Sequence, residues 1–371
     1  MSELHAPLSR AKTKRVENRN TLASPAESVY VDTSPHASTT GTHLLLSTLT
    51  RVKPATLFSK LEVLSDLESL VKEFIDKHQS KRELWFPSEF LPAGEKDLDD
   101  KMVLDLRARA RGIPDSVRVA ITINIVTEEG LPHFHRLIAE HLGTTTFWSQ
   151  WNKLWTAEED RHGNVLRDYI RDSRLLNFEA LEGIQFEYLR SGFEPEWTGD
   201  PYKLFIYTSC QEKATQISHA NTGKIIAEDE PLLHAITQKI AQDESKHYAF
   251  YLNVFKEILA RDPNNALEAA STIMPSIDMP GISIANFNDY ADVIRRAGIY
   301  GLRDYKKIVE QLISGWNIEV MTYLNEVGRK AQEKIMSIPS RLESVAQYIE
   351  QRSKSKSFSF DVVYGRILEM T

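Results

Sequence analysis

The tightest constraint on this chain is a pattern written twice: TAEEDRH at 156–162 and QDESKH at 242–247. Each segment contains Glu-x-x-His, as Glu159 with His162 and Glu244 with His247. On a helix, positions i and i+3 lie on one face about 5–6 Å apart at Cβ, so each pair can offer a carboxylate and an imidazole to one metal ion. Each motif also has a lone glutamate on the helical stretch before it. Glu212 and Glu244 stand at nearly equal distances on either side of a turn near Asp229, and Glu128 and Glu159 do the same about Gly143 and Thr144. Folded as antiparallel hairpins, each half brings its two carboxylates to one level, ~24 Å from its turn. A single Glu-x-x-His arises often by chance. Two at matched depth, each with a partner glutamate, point to a helical bundle with a metal-ligating layer.

The rest of the text fits an all-α chain. Phe58, Leu61, Leu64, Leu67, Leu70, Val71 and Phe74 recur at intervals of three and four, the mark of an amphipathic helix. Helices are expected at about 115–142, 147–171, 177–190, 202–227, 231–261 and 302–336, with Pro231 opening one of them. Val/Ile alternation is nearly absent, so strands should be few. The predicted fold is a ferritin-like helical bundle with additional helices. Residues 1–45, rich in Ser, Thr, Pro and charge, are expected to be a disordered tail, 46–350 the metal-binding domain, and 351–371 an irregular C-terminal extension packing on the bundle.

Composition excludes several classes. No stretch approaches the roughly 20 apolar residues that span a bilayer, so no transmembrane segment is expected and a greasy substrate must arrive on a soluble carrier or be small. The formal charge is −7 with no long Lys/Arg block, which argues against nucleic acid as a partner. The single Cys210 rules out an internal disulfide and a four-cysteine iron–sulfur cluster. There is no GxGxxG and no GxxxxGK[ST], so electrons for a redox reaction would come from a separate protein. Four carboxylates and two neutral imidazoles can hold two divalent irons near electroneutrality, and a nitrogen–oxygen set without thiolate favours iron or manganese. The stripe Thr208, Glu212, Thr215, His219 supports this, because polar groups on a bundle's inner face need partners.

The segments TEEGLP, WTAEEDRHG, FIYTSCQEKATQISHANT and AQDESKH, with WFPSEFLP upstream and GW, GRKAQ and PSR downstream, resemble the soluble acyl-carrier-protein (acyl-ACP) desaturases. The resemblance runs from about residue 60 to about 345. It implies a di-iron enzyme that uses oxygen and electrons from a ferredoxin-like donor to desaturate a fatty acyl chain held on acyl carrier protein, working as a homodimer. It implies Glu128 and Glu212 as terminal carboxylate ligands, Glu159 and Glu244 as bridging ones, and His162 and His247 as one nitrogen ligand per iron. Thr215 matches a threonine beside the oxygen site. Trp85 and Asp243 match residues that, with His162, are thought to form a route for electrons.

Some positions depart from the family. The second motif reads DESKHY where the family commonly has DEKRHE, and Leu204 replaces a glycine near the substrate tunnel, which suggests a shallower pocket. Lys77, Lys81, Arg82, Arg329, Lys330 and Arg341 are candidate contacts to an acidic carrier. On the residues alone Glu129 rivals Glu128 as a ligand; the resemblance favours Glu128. His133, His135 and His141 read as ordinary histidines, His219 as a hydrogen-bonded core residue, Cys210 as a small buried one, and Trp148, Trp151 and Trp155 as a packing stripe. The competing readings are another di-iron oxidase, such as an N-oxygenase or a radical-generating subunit, and iron storage. A radical enzyme wants a tyrosine on the ligand stripe, where neither Tyr207 nor Tyr248 is expected. A desaturase needs a narrow apolar cavity passing the metals, and a store needs none. Glu3, Glu17, Glu27 and Asp32 favour a bacterial cytoplasmic protein over one imported into the plastid stroma, because transit peptides are poor in acids.

Overall fold

Helices begin where the sequence supplies caps. Thr146 accepts a hydrogen bond from Ser149 N, Asp200 from Tyr202 N, and Asn325 from Gly328 N. Pro201, Pro231 and Pro263 occupy first turns, where a missing N–H costs nothing. A computed structural model describes residues 57–91, 100–192, 199–277 and 280–371, so the expected tail at 1–45 lies outside the described residues. The helices are α1 Leu57–Lys81, α2 Asp100–Arg111, α3 Asp115–Glu128, α4 Leu131–Leu142, α5 Phe147–Ser173, α6 Phe178–Ser191, α7 Pro201–Ile225, α8 Pro231–Arg261, α9 Pro263–Ile273, α10 Phe287–Arg296, α11 Leu302–Gly315 and α12 Glu326–Gln351. Strands β1 Lys356–Ser359 and β2 Ile367–Met370 pair antiparallel, with Phe358 opposite Leu368.

α7 and α8 form a tightly packed hairpin, and α3 and α5 pack against each other and onto it. α1 lies across α5, α7 and α8, while α9, α11 and α12 make a further layer. Gly223 permits a close approach of α7 to α8: a Cβ there would fall 2.3 Å from Thr237 Oγ1. The apolar interior divides in two along the bundle. One cluster holds Trp151, Trp155, Phe205, Phe250 and Tyr251, and the other holds Ile121, Ile125, Val165, Tyr169, Ile236 and Ile240. Between them on α5 and α8 come Glu158, Glu159, His162, Asp243, Glu244 and His247, all buried. A polar belt thus crosses the core, and it needs internal partners to be stable there.

Three sequence expectations change. The stretch 115–142 is two helices, because the chain bends at Glu129 and Gly130 and Pro132 opens the second. Gly130 is required by space: a Cβ there would meet the Tyr188 ring at 2.6 Å. The stretch 302–336 breaks after Gly315, where Asn317 is left-handed with φ 56°, and resumes as α12. The end of the chain is a hairpin and not irregular. Phe358, Phe360, Val362 and Val363 are buried in the second apolar cluster, and Asn177 N donates to Val362 O at 2.9 Å.

Candidate metal centre

The polar belt, with Glu128 from α3 and Glu212 from α7, brings together all six residues that the resemblance implies as ligands. They form two groups whose ligand atoms lie within 4.8 Å of one another: Glu128, Glu159, His162 and Glu244, and Glu159, Glu212, Glu244 and His247. Glu159 and Glu244 belong to both groups, Glu128 and Glu212 to one each. His162 Nδ1 lies 3.0 Å from Glu159 Oε2 and 3.8 Å from Glu244 Oε1. His247 Nδ1 lies 2.9 Å from Glu159 Oε1, 3.3 Å from Glu244 Oε2 and 3.5 Å from Glu212 Oε2. One nitrogen facing three carboxylates can satisfy only one of them with a proton, whereas a divalent cation satisfies them together.

The outer ring nitrogens show why the inner ones are free to ligate. His247 Nε2 donates to Glu158 Oε2 at 2.8 Å, and Glu158 also accepts from His78 Nε2 at 3.0 Å and Arg82 Nη1 at 3.0 Å. His162 Nε2 faces Asp243 Oδ2 at 3.7 Å, and that oxygen accepts from Trp85 Nε1 at 2.7 Å. A proton held on Nε2 leaves the Nδ1 lone pair pointing inward, the tautomer a metal requires. The arrangement is reciprocal: Asp243 on α8 serves the histidine of α5, and Glu158 on α5 serves the histidine of α8. Sequence reasoning named Asp243 and missed Glu158. The signal was present, since both motifs read acid-Glu-x-x-His.

The lone glutamates have supports of their own. His219 Nε2 donates to Glu128 Oε1 at 3.2 Å while its Nδ1 accepts from Asn124 Nδ2 at 3.4 Å. Glu129 turns away to Arg167 and Gln185. Trp155 Nε1 donates to Glu212 Oε1 at 3.1 Å, so the tryptophan stripe is not packing alone. Thr215, one turn beyond Glu212, donates to Gln211 O at 3.1 Å. His135 pairs with the Thr156 hydroxyl and His133 with Leu189 O, both apart from the cluster.

The charges are mutually frustrated without a cation. Burial raises Glu128 to about 7, opposed by the His219 hydrogen bond and reinforced by Glu159. Burial and the charges of Glu159 and Glu212 push Glu244 well up, and burial raises Glu212. Burial alone would lower His162 and His247, but Glu159 and its neighbours around His162, and Glu158, Glu159, Glu212 and Glu244 around His247, raise both well above the usual imidazole range. Burial would likewise raise Glu158, but hydrogen bonds from His247 and His78 hold it far below the ordinary carboxylate range. The site keeps protons that a metal would displace.

The sequence pattern of the fatty acid desaturase family matches residues 59–364. The chain belongs to this family. It is 30% identical to the chloroplastic stearoyl-[acyl-carrier-protein] 9-desaturase of Olea europaea, over 98% of this chain and 96% of that one. It is 34% identical to the corresponding Gossypium hirsutum enzyme over 80% of this chain and 78% of that one. Among solved structures it is similar in fold to acyl-ACP desaturase DesA2 of Mycobacterium tuberculosis H37Rv, with TM-score 0.53 and 20% identity, covering 73% of this chain and 99% of that one. No described helix of this family member is long and apolar enough to cross a membrane.

A cavity of about 490 Å³ runs past the carboxylates of this desaturase-family chain. Glu128, Glu159, Glu244 and Thr215 form part of its wall, and Leu131, Phe134, Ile277, Phe287, Ile294 and Leu302 supply apolar lining. Cys210 also lines it, and burial pushes its thiol up. Leu204 is buried in the core and is not among the residues lining this cavity. None of Lys77, Lys81, Arg82, Arg329, Lys330 and Arg341 lines the cavity; Arg82 binds Glu158 and Lys330 pairs with Glu326.

Proposed function

We propose that this protein is an acyl-ACP desaturase: it places a double bond in a fatty acyl chain carried on acyl carrier protein, with two irons held by Glu128, Glu159, His162, Glu212, Glu244 and His247. The observation that carries the reading is the apolar cavity with three of those carboxylates in its wall. Iron storage needs no such cavity. The curated relatives, named as stearoyl-ACP desaturases, support the same substrate class.

The irons, when bound, supply with oxygen and two donor electrons the oxidising power to remove two hydrogens from neighbouring carbons, oxygen leaving as water. The chain's own residues do the rest. The apolar wall aligns the methylenes beside the carboxylates and excludes water. Thr215 offers a hydroxyl to the cavity, one turn from Glu212. Glu158 holds the His247 imidazole with Nδ1 inward, and Asp243 faces the outer nitrogen of His162 at 3.7 Å. Trp85, buried between exposed Leu84 and Phe86, links that surface through Asp243 to His162, and a ferredoxin-like donor would dock there.

The test is to incubate iron-loaded protein with acyl-ACPs of several lengths, ferredoxin, a reductant system and oxygen, and to read the acyl products by mass spectrometry. A mono-unsaturated product, lost in Glu159→Ala and Glu244→Ala, is expected. Oxygen consumption with no altered acyl chain would refute the substrate assignment and leave an N-oxygenase to be tested; bound iron without oxygen turnover coupled to acyl chemistry would point to storage. The family resemblance supports a homodimer, checked by light scattering on the eluting protein. The four acidic residues at positions 3–32 support a bacterial cytoplasmic setting, and uptake by isolated chloroplasts would overturn it.

A further inference from the structure

Each imidazole of the centre faces an indole. Trp85 stacks on His162 with ring centroids 6.2 Å apart. Trp151 stands edge-on to His247, also at 6.2 Å, and Tyr251 lies against Trp151 at 5.8 Å. Tyr251 follows His247 by four residues and Glu244 by seven, so it stands on the ligand stripe of α8, where neither Tyr207 nor Tyr248 was expected. Packing alone does not account for the pair. Trp151 is 0% exposed and Tyr251 1%. Among the described residues neither the Trp151 indole nitrogen nor the Tyr251 hydroxyl completes a hydrogen bond. Trp148, Trp155 and Trp316 all do, to Leu64 O, Glu212 and Leu252 O. Phe250, stacked on Trp151 at 3.5 Å, fills this core with no polar atom to strand, and phenylalanine at 251 would do the same at less cost. What tyrosine and tryptophan add to phenylalanine is ready one-electron oxidation. The carboxylate whose charge bears most on the Tyr251 hydroxyl is Glu212. Neither Trp151 nor Tyr251 lines the acyl cavity.

We infer that Tyr251 is an internal electron source for the metal centre when oxygen reacts with no acyl chain in place, with Trp151 as the bridge to His247. The inference rests on the di-iron reading above. Reduction of oxygen to two waters takes four electrons and four protons. In desaturation the donor supplies two of the electrons, and the acyl chain supplies the other two with their protons. With the cavity empty, one electron passes from the Tyr251 ring through Trp151 and His247 to the centre. The phenolic proton passes to Glu212 and on to the oxygen being reduced, which leaves a neutral tyrosyl radical. The ferredoxin-like donor then supplies the fourth electron, and a further one that restores Tyr251 with a proton from solvent. The oxidising equivalent is thus drawn to a side chain that recovers, away from the ligands themselves. Because the pair stands outside the cavity wall, a bound acyl chain meets the centre without contact with either ring.

The test uses the full-length, iron-loaded protein, reduced under nitrogen, mixed with oxygen without acyl-ACP and frozen at intervals for electron paramagnetic resonance. A tyrosyl signal is expected, narrowed when the protein carries ring-deuterated tyrosine. It should be lost in Tyr251→Phe and severalfold weaker in Trp151→Phe, with iron content unchanged in both. Tyr169→Phe, in the other apolar cluster, should keep it. Tyr251→Phe should match or exceed the wild-type Tm, since it strands no hydroxyl. After repeated cycling with donor and no acyl chain, it should carry severalfold more oxidised residues in the peptides that hold the ligands, read by mass spectrometry. No tyrosyl signal in the wild type, or one that survives Tyr251→Phe, would overturn the inference. Prebound acyl-ACP should suppress the signal while a mono-unsaturated product forms. A radical at Tyr251 with no acyl-ACP converted leaves the inference standing and the desaturase reading fallen. Product with no radical in the absence of acyl-ACP does the reverse, and failure to react with oxygen at all removes both.

Discussion

Metal-free protein should lose stability as pH rises from about 5 through 7, and Glu128 gives the size of the effect. Its carboxyl is raised from 4.5 to about 7, first by burial. A carboxyl raised on folding leaves stability intact below pH 4.5 and removes it as pH climbs through 7. At about 1.36 kcal/mol per unit the full loss is about 3 kcal/mol, or on the order of 5 °C in Tm for a domain of this size. Glu212, Glu244, His162 and His247 are also raised and act in the same direction. Glu158 and Asp243, held low, deliver their stability above the ordinary carboxylate range and are already constant at pH 6. Glu128→Gln cannot ionise, so without metal it should match wild type at pH 4 and exceed it by up to about 3 kcal/mol at pH 8. Ferrous or manganous ion under nitrogen should reverse the wild-type slope, because metal displaces those protons and binds more tightly at higher pH. The assay is thermal unfolding from pH 4 to 8, with chelator and with metal. A metal-free Tm that rises between pH 6 and 8, or a Glu128→Gln protein less stable than wild type at pH 8, would refute the reasoning.

Three further outcomes follow from the packing. Glu158→Gln should weaken iron binding roughly 10–100-fold by loosening the orientation of His247, read by metal titration in the presence of a competing chelator. Gly223→Ala should cost about 1–3 kcal/mol in urea unfolding, because the new Cβ would meet Thr237 across the α7–α8 contact. Phe358→Ala should cost about 3–5 kcal/mol, since that ring anchors the C-terminal hairpin in the core; a loss under 1 kcal/mol would show the hairpin to be dispensable.

The clustering of these acids and histidines was legible because a helix turns spacing into direction: three residues apart is one face, and for Glu212 and Glu244, on the α7–α8 hairpin, equal distances from the turn are one level, whereas Glu128 and Glu159 are separated by the extra helix α4. Glu128 against Glu129 was not separable that way, because both stand at the end of α3, where helical periodicity stops. Only the tertiary partners decide it, His219 for one and Arg167 for the other. Glu158 was overlooked because its role depends on a neighbouring helix. The break at Gly130 was legible as Gly-Leu-Pro but was outweighed by apolar periodicity that runs on through α4. The hairpin at 356–370 escaped because short strands earn their stability from the surface they cover, here the second apolar cluster.

Sharing Glu159 and Glu244 between both groups has a thermodynamic consequence. An ion entering one position must first strip protons from, and immobilise, two side chains that the other position also uses. A second ion would find half of its ligands ionised and in place, a gain set against the repulsion between two cations that share the same carboxylates. Where that gain outweighs the repulsion, a metal titration passes from empty to full with little half-filled species between. Preparing a form with one ion, or with two different ones, would mean working against that coupling.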